Sequence, residues 1–366
     1  MKLKKLVSSV LAAALCALSF TGCSNGGNSS GSSVTENSTN TVSSASSGND
    51  STTASVPESG APESSVPDHT EPTKARVNIV ALKGPTAMGL TKMMDEGNSM
   101  LDYDLDIKAS PDEISPMVAQ GKADIYCVPA NLAAVLCNKT EGKVQVVAIN
   151  TLGVLYICEK GETVKSVADL KGKTIYSAGK GSTPEYALNF ILKNNGIDPE
   201  KDVTIEWKSE HAECLEAMLT GENCVAMLPQ PFVTTAQTKN DAVKVVLDLN
   251  AEWDKLGVDS SLITGVAIAD RNFAEKCTTE LNEFLKQYKE SVDFINSNVD
   301  EAAKLIGKYD IVPEAVAKKA VPNCNIVCIT GSEMKDKLSG YLNVLFENDP
   351  KAVGGKLPDD TFYFVG

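Results

Sequence analysis

Three short segments of this sequence carry residues that could hold a small ligand. Residues 83–89 read Lys-Gly-Pro-Thr-Ala-Met-Gly, residues 127–131 read Cys-Val-Pro-Ala-Asn, and residues 179–186 read Gly-Lys-Gly-Ser-Thr-Pro-Glu-Tyr. Each segment follows an apolar run and precedes a helical pattern, which predicts a strand-to-helix loop. Glycine lets a backbone approach a ligand closely, and free N–H groups at a helix start bind anions or polar groups. The candidate ligand contacts in these loops are Lys83, Gly84, Pro85, Thr86, Met88, Pro129, Asn131, Gly181, Ser182 and Thr183.

Helix capping explains several of the same residues without any ligand. Asn131 stands where an N-cap is expected, and capping is the commoner use of such a residue. Ser182 lies three residues before Glu185, which predicts a capping box, and Pro184 falls in the first helical turn. No segment has the glycine pattern of a P-loop or of a dinucleotide-binding turn. The binding and the capping interpretations both stay open at this stage.

The composition argues against catalysis and against nucleic-acid binding. The chain has 366 residues, with 34 Lys and Arg against 48 Asp and Glu, a net charge of −14 and only 2 His. A nucleic-acid partner needs a basic surface, which so acidic a chain does not favour. His69 falls in a polar segment and His211 stands alone, so triad or multi-histidine metal chemistry has few groups to use. We expect no catalytic residue, no cofactor and no metal.

Eight of the ten cysteines fall beyond residue 100, most of them inside apolar runs. Cysteine in such a run behaves as a small hydrophobic residue, so we expect mostly free, buried thiols. An even number of cysteines in an exported protein also permits disulfides. His211 with Cys214 and Cys224 could form the corner of a metal site, but a fourth ligand is not evident.

The N-terminus has the features of a bacterial export signal. A lysine-rich start is followed by the apolar run Leu6–Leu18 and by Phe20-Thr21-Gly22-Cys23, which resembles the cleavage site of lipoproteins. We therefore expect a signal peptide over residues 1–22 and lipid attachment at Cys23, although an ordinary secretory signal is the alternative. Residues 23–75 are rich in Ser, Thr and Pro and predict a disordered tether at the outer face of a membrane.

Short apolar runs alternate with helical patterns from Val77 onward, and the alternation restarts after Thr151. This order predicts βαβ units, a largely parallel sheet and an α/β fold. We expect lobe 1 over residues 76–152, lobe 2 over residues 153–264, and a return to lobe 1 over residues 265–366. Ligands of open α/β sheets lie at the carboxyl ends of the strands, so two such lobes predict a binding cleft.

Three motifs carry a resemblance to a known family. They are Gly121-Lys122-Ala123-Asp124-Ile125, the pair formed by residues 169–173 and 181–188, and residues 219–232, which end in Pro-Gln-Pro-Phe. The sequence resembles ABC-transporter substrate-binding proteins of the nitrate, sulfonate, taurine and thiamine-precursor group (SsuA/THI5-like). This resemblance implies a type-2 periplasmic binding protein fold, with two α/β lobes joined by a two-strand hinge. The hinge would comprise Asn150–Tyr156 and Leu262–Ala267.

The resemblance also implies a function. A solute-binding lipoprotein of this kind captures a small molecule by hinge closure and delivers it to an ABC permease and its ATPase, without being an enzyme. We expect a monomer on the extracytoplasmic face of the cell membrane, with Pro229, Gln230 and Trp253 as further ligand contacts. The alternatives are a surface sensor or interaction lipoprotein with the same fold, or an enzyme of thiamine-precursor or menaquinone type.

The charged residues favour a neutral or cationic ligand. Sulfonate binders of this family often have His where this chain has Glu185, and a carboxylate there would repel an anion unless the capping box turns it away. The sequence has only two arginines, Arg76 and Arg271, while Lys83 and Lys180 could each balance one negative group. A heteroaromatic molecule such as a pyrimidine is one possibility, with Trp253 and Tyr186 as candidate stacking faces.

Overall fold

The computed structural model describes residues 74–258 and 260–366. The expected signal peptide, the lipidated Cys23 and almost all of the tether lie outside these residues. Within the described part of the chain, every helix is too short or too polar to cross a lipid bilayer.

The described residues form two separate sheets. The strands are β1 (Ala75–Leu82), β2 (Leu101–Lys108), β3 (Ile125–Pro129), β4 (Val144–Leu152), β5 (Leu155–Lys160), β6 (Thr174–Ala178), β7 (Thr204–Lys208), β8 (Cys224–Pro229), β9 (Val243–Asp248), β10 (Ile263–Asp270) and β11 (Ile326–Ile329). One sheet has the order β11-β4-β10-β3-β1-β2 and the other has the order β7-β6-β8-β5-β9. We call the first sheet with its helices lobe 1, and the second with its helices lobe 2.

Helices connect the strands in both lobes. They are α1 (Pro85–Met88), α2 (Thr91–Glu96), α3 (Pro111–Ala119), α4 (Ala130–Lys139), α5 (Thr183–Asn194), α6 (His211–Thr220), α7 (Phe232–Lys239), α8 (Leu249–Asp254), α9 (Arg271–Lys276), α10 (Thr278–Ser297), α11 (Val299–Lys308), α12 (Glu314–Ala320) and α13 (Gly331–Asn348). Short 3₁₀ turns cover Val167–Leu170, Val321–Asn323, Pro350–Val353 and Asp360–Phe362.

The strand directions confirm the α/β class expected from the sequence. In lobe 1, β1 pairs in parallel with β2 and β3, and β10 runs antiparallel between β3 and β4. In lobe 2, β6 pairs in parallel with β7 and β8, and β5 runs antiparallel between β8 and β9. The central strands β3 and β8 are buried along their whole length, as expected for strands of a mixed sheet covered by helices on both faces.

Two helical segments differ from the sequence-based expectation. The residues from Phe273 to Asn296 have the apolar periodicity of a single helix, but they are divided into α9 and α10 because Cys277 leaves the helical conformation with φ −120° and ψ 44°. The methionine-rich stretch that ends at Met100 forms the short helices α1 and α2, and β2 follows at once from Leu101. Hydrophobic periodicity predicts which side of these helices is buried, but it does not predict where a helix is interrupted.

The chain passes between the two sheets twice. It leaves lobe 1 at Leu152 and enters β5 at Leu155, and it returns to lobe 1 between Asp254 and Ile263. At the first crossing a β-carbon placed on Gly153 would lie only 2.8 Å from the β-carbon of Asn250. Glycine therefore lets the first crossing pass close to the start of α8.

Substituting Gly153 by Ala should destabilise the protein by about 1–3 kcal/mol, because the new methyl group overlaps Asn250. Denaturant unfolding of the wild type and the variant measures this difference. Asn250→Gly removes the overlapping side chain, so the combined G153A/N250G protein should lose less stability than the two separate losses added together. Strict additivity of the two losses would contradict the steric explanation.

Candidate functional site

The carboxyl ends of strands from both sheets meet at one level of the molecule. In lobe 1, the ends of β3 and β4 lie beside the start of β10, since Pro129 pairs with Gly265 and Leu152 with Ile263. In lobe 2, the start of β5 lies beside the end of β8, since Leu155 pairs with Pro229. Because only Gly153 and Val154 separate β4 from β5, these two edges must face each other. The loops of the two edges define the candidate cleft.

The loop after β1 brings Lys83, Gly84, Pro85 and Thr86 to this edge. Lys83 is exposed, while Gly84 adopts φ 130°, a conformation that side chains disfavour. The Thr86 hydroxyl donates to the Leu82 carbonyl at 2.6 Å, which fixes the first turn of α1 on the strand.

Met88 does not reach the cleft. Its side chain is fully buried in the core of lobe 1, among residues of β1, α2 and α10. The expectation that Met88 contacts a ligand is therefore corrected: burial uses this side chain for packing.

Asn131 joins the two lobes instead of capping α4. Pro129 occupies the N-cap position, and Asn131 lies inside the helix, fully buried. Its amide nitrogen donates to the Ala352 carbonyl at 3.0 Å and to the Gly181 carbonyl at 3.4 Å. Its amide oxygen accepts a hydrogen bond from the Thr183 hydroxyl at 3.2 Å. The capping interpretation of Asn131 is thus wrong, and its polar atoms are used for a contact between lobes.

The loop before α5 is hydrogen-bonded to the carboxylate of Glu185, in the first turn of that helix. Glu185 Oε2 accepts the backbone N–H of Gly181 at 2.6 Å, and the Ser182 hydroxyl donates to the Gly179 carbonyl at 2.8 Å. Ser182 is the N-cap residue but makes no side-chain capping bond, so the expected capping box is not formed as such. The Glu185 side chain nevertheless points back toward the loop. It occupies the Gly181 N–H, which is a donor that an anion bound at this turn would use.

The loop between β8 and α7 places Pro229 and Gln230 on the opposite wall. The backbone N–H of Gln230 donates to the Val154 carbonyl of the first crossing at 3.0 Å. Its side-chain oxygen accepts the N–H of Thr234 at 3.3 Å and the Thr234 hydroxyl at 2.9 Å. These bonds hold the side chain of Gln230 on the first turn of α7.

Trp253 offers no stacking face to a ligand. Its indole ring is fully buried, with its centroid 4.6 Å from that of Phe190 and 5.6 Å from that of Tyr341. Its ring N–H donates to the Ser260 carbonyl at 3.0 Å. The expected ligand contact at Trp253 is therefore corrected to a core contact. Tyr186 is half-buried and packs against the same hydrophobic cluster.

Both arginines lie at the edge of the lobe 1 sheet that faces away from the cleft. Arg76 is the second residue of β1 and forms an ion pair with Asp104 of β2. Arg271 follows the carboxyl end of the antiparallel strand β10, and its guanidinium donates to the carbonyls of Gly142 and Thr361. A guanidinium group can bind a phosphonate or sulfonate group bidentately, but neither guanidinium group of this chain lies at the candidate cleft.

Asn150 is a candidate that the sequence analysis missed as a single site. It is fully buried near the carboxyl end of β4, where a β-carbon on Gly265 would meet its side-chain oxygen at 2.5 Å and the Thr86 methyl at 2.7 Å. Its oxygen accepts the Thr151 hydroxyl at 3.0 Å, while its amide nitrogen makes no hydrogen bond of good geometry among the described residues and faces the buried Cys127 and Tyr288 of the lobe 1 core. A polar pair at the end of an otherwise apolar strand, Val-Gln-Val-Val-Ala-Ile-Asn-Thr-Leu, was the available signal.

Within the described residues, neither the thiols nor the histidine belongs to a group of three or more possible metal ligands. All eight cysteines of the described residues are unpaired, and six of them are buried. Burial raises the pKa of Cys127, Cys158 and Cys214 to about 12, which keeps these thiols protonated. His211 packs on the Phe232 ring at 5.5 Å between centroids, and burial lowers its pKa to about 4.

Residues 90–311 match the family described as "ABC transporter, phosphonate, periplasmic substrate-binding protein". No curated protein matches the chain. Several solved structures share the fold. An ABC transporter protein from Parabacteroides distasonis has 21% sequence identity and a TM-score of 0.67, over 79% of this chain and 99% of that chain.

Two sulfonate-binding proteins are similarly related in structure. The periplasmic aliphatic sulphonate binding protein SsuA from Escherichia coli has 16% identity and a TM-score of 0.64, over 80% of this chain and 92% of that chain. The alkanesulfonate-binding protein SsuA from Xanthomonas axonopodis pv. citri, bound to MOPS, has 15% identity and a TM-score of 0.61, over 80% and 96%. At these identities the likeness supports the fold and leaves the ligand open.

His211 should make the protein sensitive to mild acid. Its folded-state pKa of about 4 lies below the ordinary value of 6.5, so protons bind the unfolded chain first as the pH falls. The stability is complete above about pH 6.5 and is lost progressively toward about pH 4. His211→Phe keeps the ring packing on Phe232, so thermal unfolding at about pH 5 should show a smaller loss relative to neutral pH than in the wild type. Equal losses in both proteins would contradict this assignment.

Proposed function

The chain belongs to the family of periplasmic substrate-binding proteins of ABC transporters, and we propose that it captures an uncharged or cationic small molecule between its two lobes. The family match covers residues 90–311, which include strands of both sheets and the first crossing between them. Proteins of this family bind a solute and do not transform it. Closure of two lobes around the solute is the general mechanism of such proteins.

The observation that carries the proposed ligand class is the contact between Glu185 and Gly181. The carboxylate accepts the Gly181 N–H at 2.6 Å, at the glycine-rich turn where a ligand could approach the backbone of lobe 2. A phosphonate or sulfonate at this turn would meet a negative charge and would find that amide already bonded. An uncharged or cationic group avoids both penalties.

The positions of the other charges support the same proposal. Both arginines lie at the far edge of the lobe 1 sheet, as described above. Lys83 and Lys180 are exposed, so solvent weakens the attraction that either ammonium group exerts on an anion in the cleft. The family description names phosphonate, and the similar structures include sulfonate-binding proteins, but neither arginine of this chain lies at the candidate cleft to bind such a group bidentately.

The remaining candidate contacts come from both walls of the cleft. We propose Thr86 on lobe 1 and Gln230 on lobe 2 as polar contacts, together with the backbone of Gly84 and Gly181.

A thermal-shift screen tests the ligand class directly. Methylphosphonate and ethanesulfonate serve as the anionic probes, and ethanesulfonamide, pyrimidines and simple amines as the uncharged and cationic probes. We expect the melting temperature to rise only with a member of the second group. A saturable rise with either anion would contradict the proposed ligand class while leaving the solute-binding function intact.

Glu185→Gln provides the matched control for this screen. Glutamine keeps an oxygen that can accept the Gly181 N–H, but it removes the negative charge from the turn. The variant should therefore bind the anionic probes at least several-fold more strongly than the wild type does. Unchanged anion binding in the variant would show that Glu185 does not select the ligand charge.

We also propose that Cys23 is lipidated and anchors a monomer at the extracytoplasmic face of the membrane, near its permease and ATPase partners. The sequence pattern around Cys23 supports this anchor. In membrane fractionation of a producing bacterium, Cys23→Ala should move the protein from the membrane to the soluble fraction. Ser24→Ala, which leaves the cysteine intact, should stay with the membrane. Membrane association of the Cys23→Ala variant would refute the anchor.

A further inference from the structure

One of the three hydrophobic clusters of the described residues spans both lobes. One cluster contains buried residues of lobe 1 and of lobe 2, while the two other clusters of the described residues each belong to a single lobe. Part of the shared cluster lies where α5 and α8 of lobe 2 meet α13 of lobe 1. Its members at this contact include Leu188, Phe190, Leu249 and Trp253 from lobe 2, and Leu338, Tyr341, Leu342 and Leu345 from lobe 1. We call this contact the seam.

Aromatic packing makes the seam continuous. Trp253 of lobe 2 and Tyr341 of lobe 1 are both fully buried, with ring centroids 5.6 Å apart, and the Phe190 ring centroid lies 4.6 Å from that of the same indole. Separating the lobes here would bring large aromatic surfaces into water, which is unfavourable in proportion to the apolar area exposed.

Polar contacts secure α5 to lobe 1 at both of its ends. Near its first turn, Asn131 bonds to the Thr183 hydroxyl and to the Gly181 carbonyl. At its last turn, the Lys193 ammonium donates to the side-chain oxygen of Asn348 at 3.3 Å. Each of these contacts joins protein atoms to protein atoms, so none of them depends on a ligand for its formation.

On the other side of the cleft, no hydrophobic cluster of the described residues spans both lobes. There α7 of lobe 2 lies beside α12 of lobe 1, and the Tyr156 hydroxyl reaches the Asn323 carbonyl at 3.5 Å. Within the described residues, the apolar side chains near this contact belong to the separate cores of the two lobes. Parting the lobes on this side therefore exposes less shared apolar surface than parting them at the seam.

We propose that the seam stays closed while the lobes move, so that the cleft opens on the side of α7 and α12 and pivots about Trp253 and Tyr341. Asn131 is then a positioning residue that holds the Gly181–Thr183 turn on lobe 1, and not a ligand contact. This inference rests on the proposed solute-binding function, since it assumes a cleft that opens. It assigns one side of the molecule to the pivot and the other side to ligand entry.

Fluorescence quenching of Trp253 tests the closed seam without any ligand. The chain has two tryptophans, so Trp207→Phe leaves Trp253 as the only indole. In this full-length variant, acrylamide should quench Trp253 several-fold less efficiently than it quenches free N-acetyltryptophanamide. Quenching close to that of the free compound would overturn the proposal, because it would show that the seam opens in solution.

Substitutions at Tyr341 identify what protects the indole. In the Trp207→Phe background, Tyr341→Ala should raise the quenching of Trp253 several-fold. Tyr341→Phe should not, because phenylalanine keeps the ring that packs on the indole. Leu338→Ala replaces Tyr341→Ala if that variant does not fold. Tyr288→Ala removes an equally buried tyrosine from the separate core of lobe 1, so it should lower the melting temperature without changing the quenching. Unchanged quenching in the seam variants would overturn the proposal.

The pivot itself is tested with any probe that raises the melting temperature. Saturation with that probe should leave the quenching of Trp253 unchanged, because the seam is closed before and after binding. A several-fold change on saturation would overturn the pivot. If no probe binds, that result contradicts the solute-binding function and not the pivot.

Discussion

The two-residue crossing between β4 and β5 is the constraint on which the candidate site depends. Because only Gly153 and Val154 separate the two strands, the end of one sheet lies against the beginning of the other. The hydrogen bonds that the crossing accepts from Gln230 and from Asn325 fix this arrangement on both sides, with the Asn325 amide 2.5 Å from the Gly153 carbonyl. Loops that are far apart in the sequence are thereby brought to one cleft, and a lone α/β sheet could not provide two such walls.

The fold was largely predictable from the sequence, because the alternation of apolar runs and helical patterns is a local property. The strands β1, β3 and β8 lie where their apolar runs predict them, and the restart of the pattern after Thr151 coincides with the change of sheet. The helix α8 was not foreseen, because the surrounding sequence is polar and only Leu249 and Trp253 are buried. Its position depends on the Asp248 side chain, which accepts the N–H groups of Asn250 and Ala251.

The candidate site was only partly predictable. The loops after β1, β3, β6 and β8 do reach the cleft, because strand-end loops always share one edge of a parallel sheet. The sequence could not show which side chains in those loops face a ligand. Met88, Asn131 and Trp253 are chemically suitable for binding, yet all three are fully buried in contacts within or between the lobes. Burial of this kind depends on partners distant in the chain, such as Tyr341 and Ala352, and a single sequence does not pair them.

The proposed ligand charge is the point at which this chain would differ from the phosphonate-binding and sulfonate-binding proteins that it resembles. The fold is that of phosphonate and sulfonate binders, but function lies in the site, and here Glu185 takes the loop amide while both arginines stay on the far edge. A crystal structure of the protein saturated with the probe that most raises its melting temperature tests this account most directly. The account predicts one molecule without an anionic group between the ends of β1 and β3 on one side and β6 and β8 on the other. A molecule bound on the outer face of either lobe, or an anion seated at the Gly181 amide in place of Glu185, would contradict it.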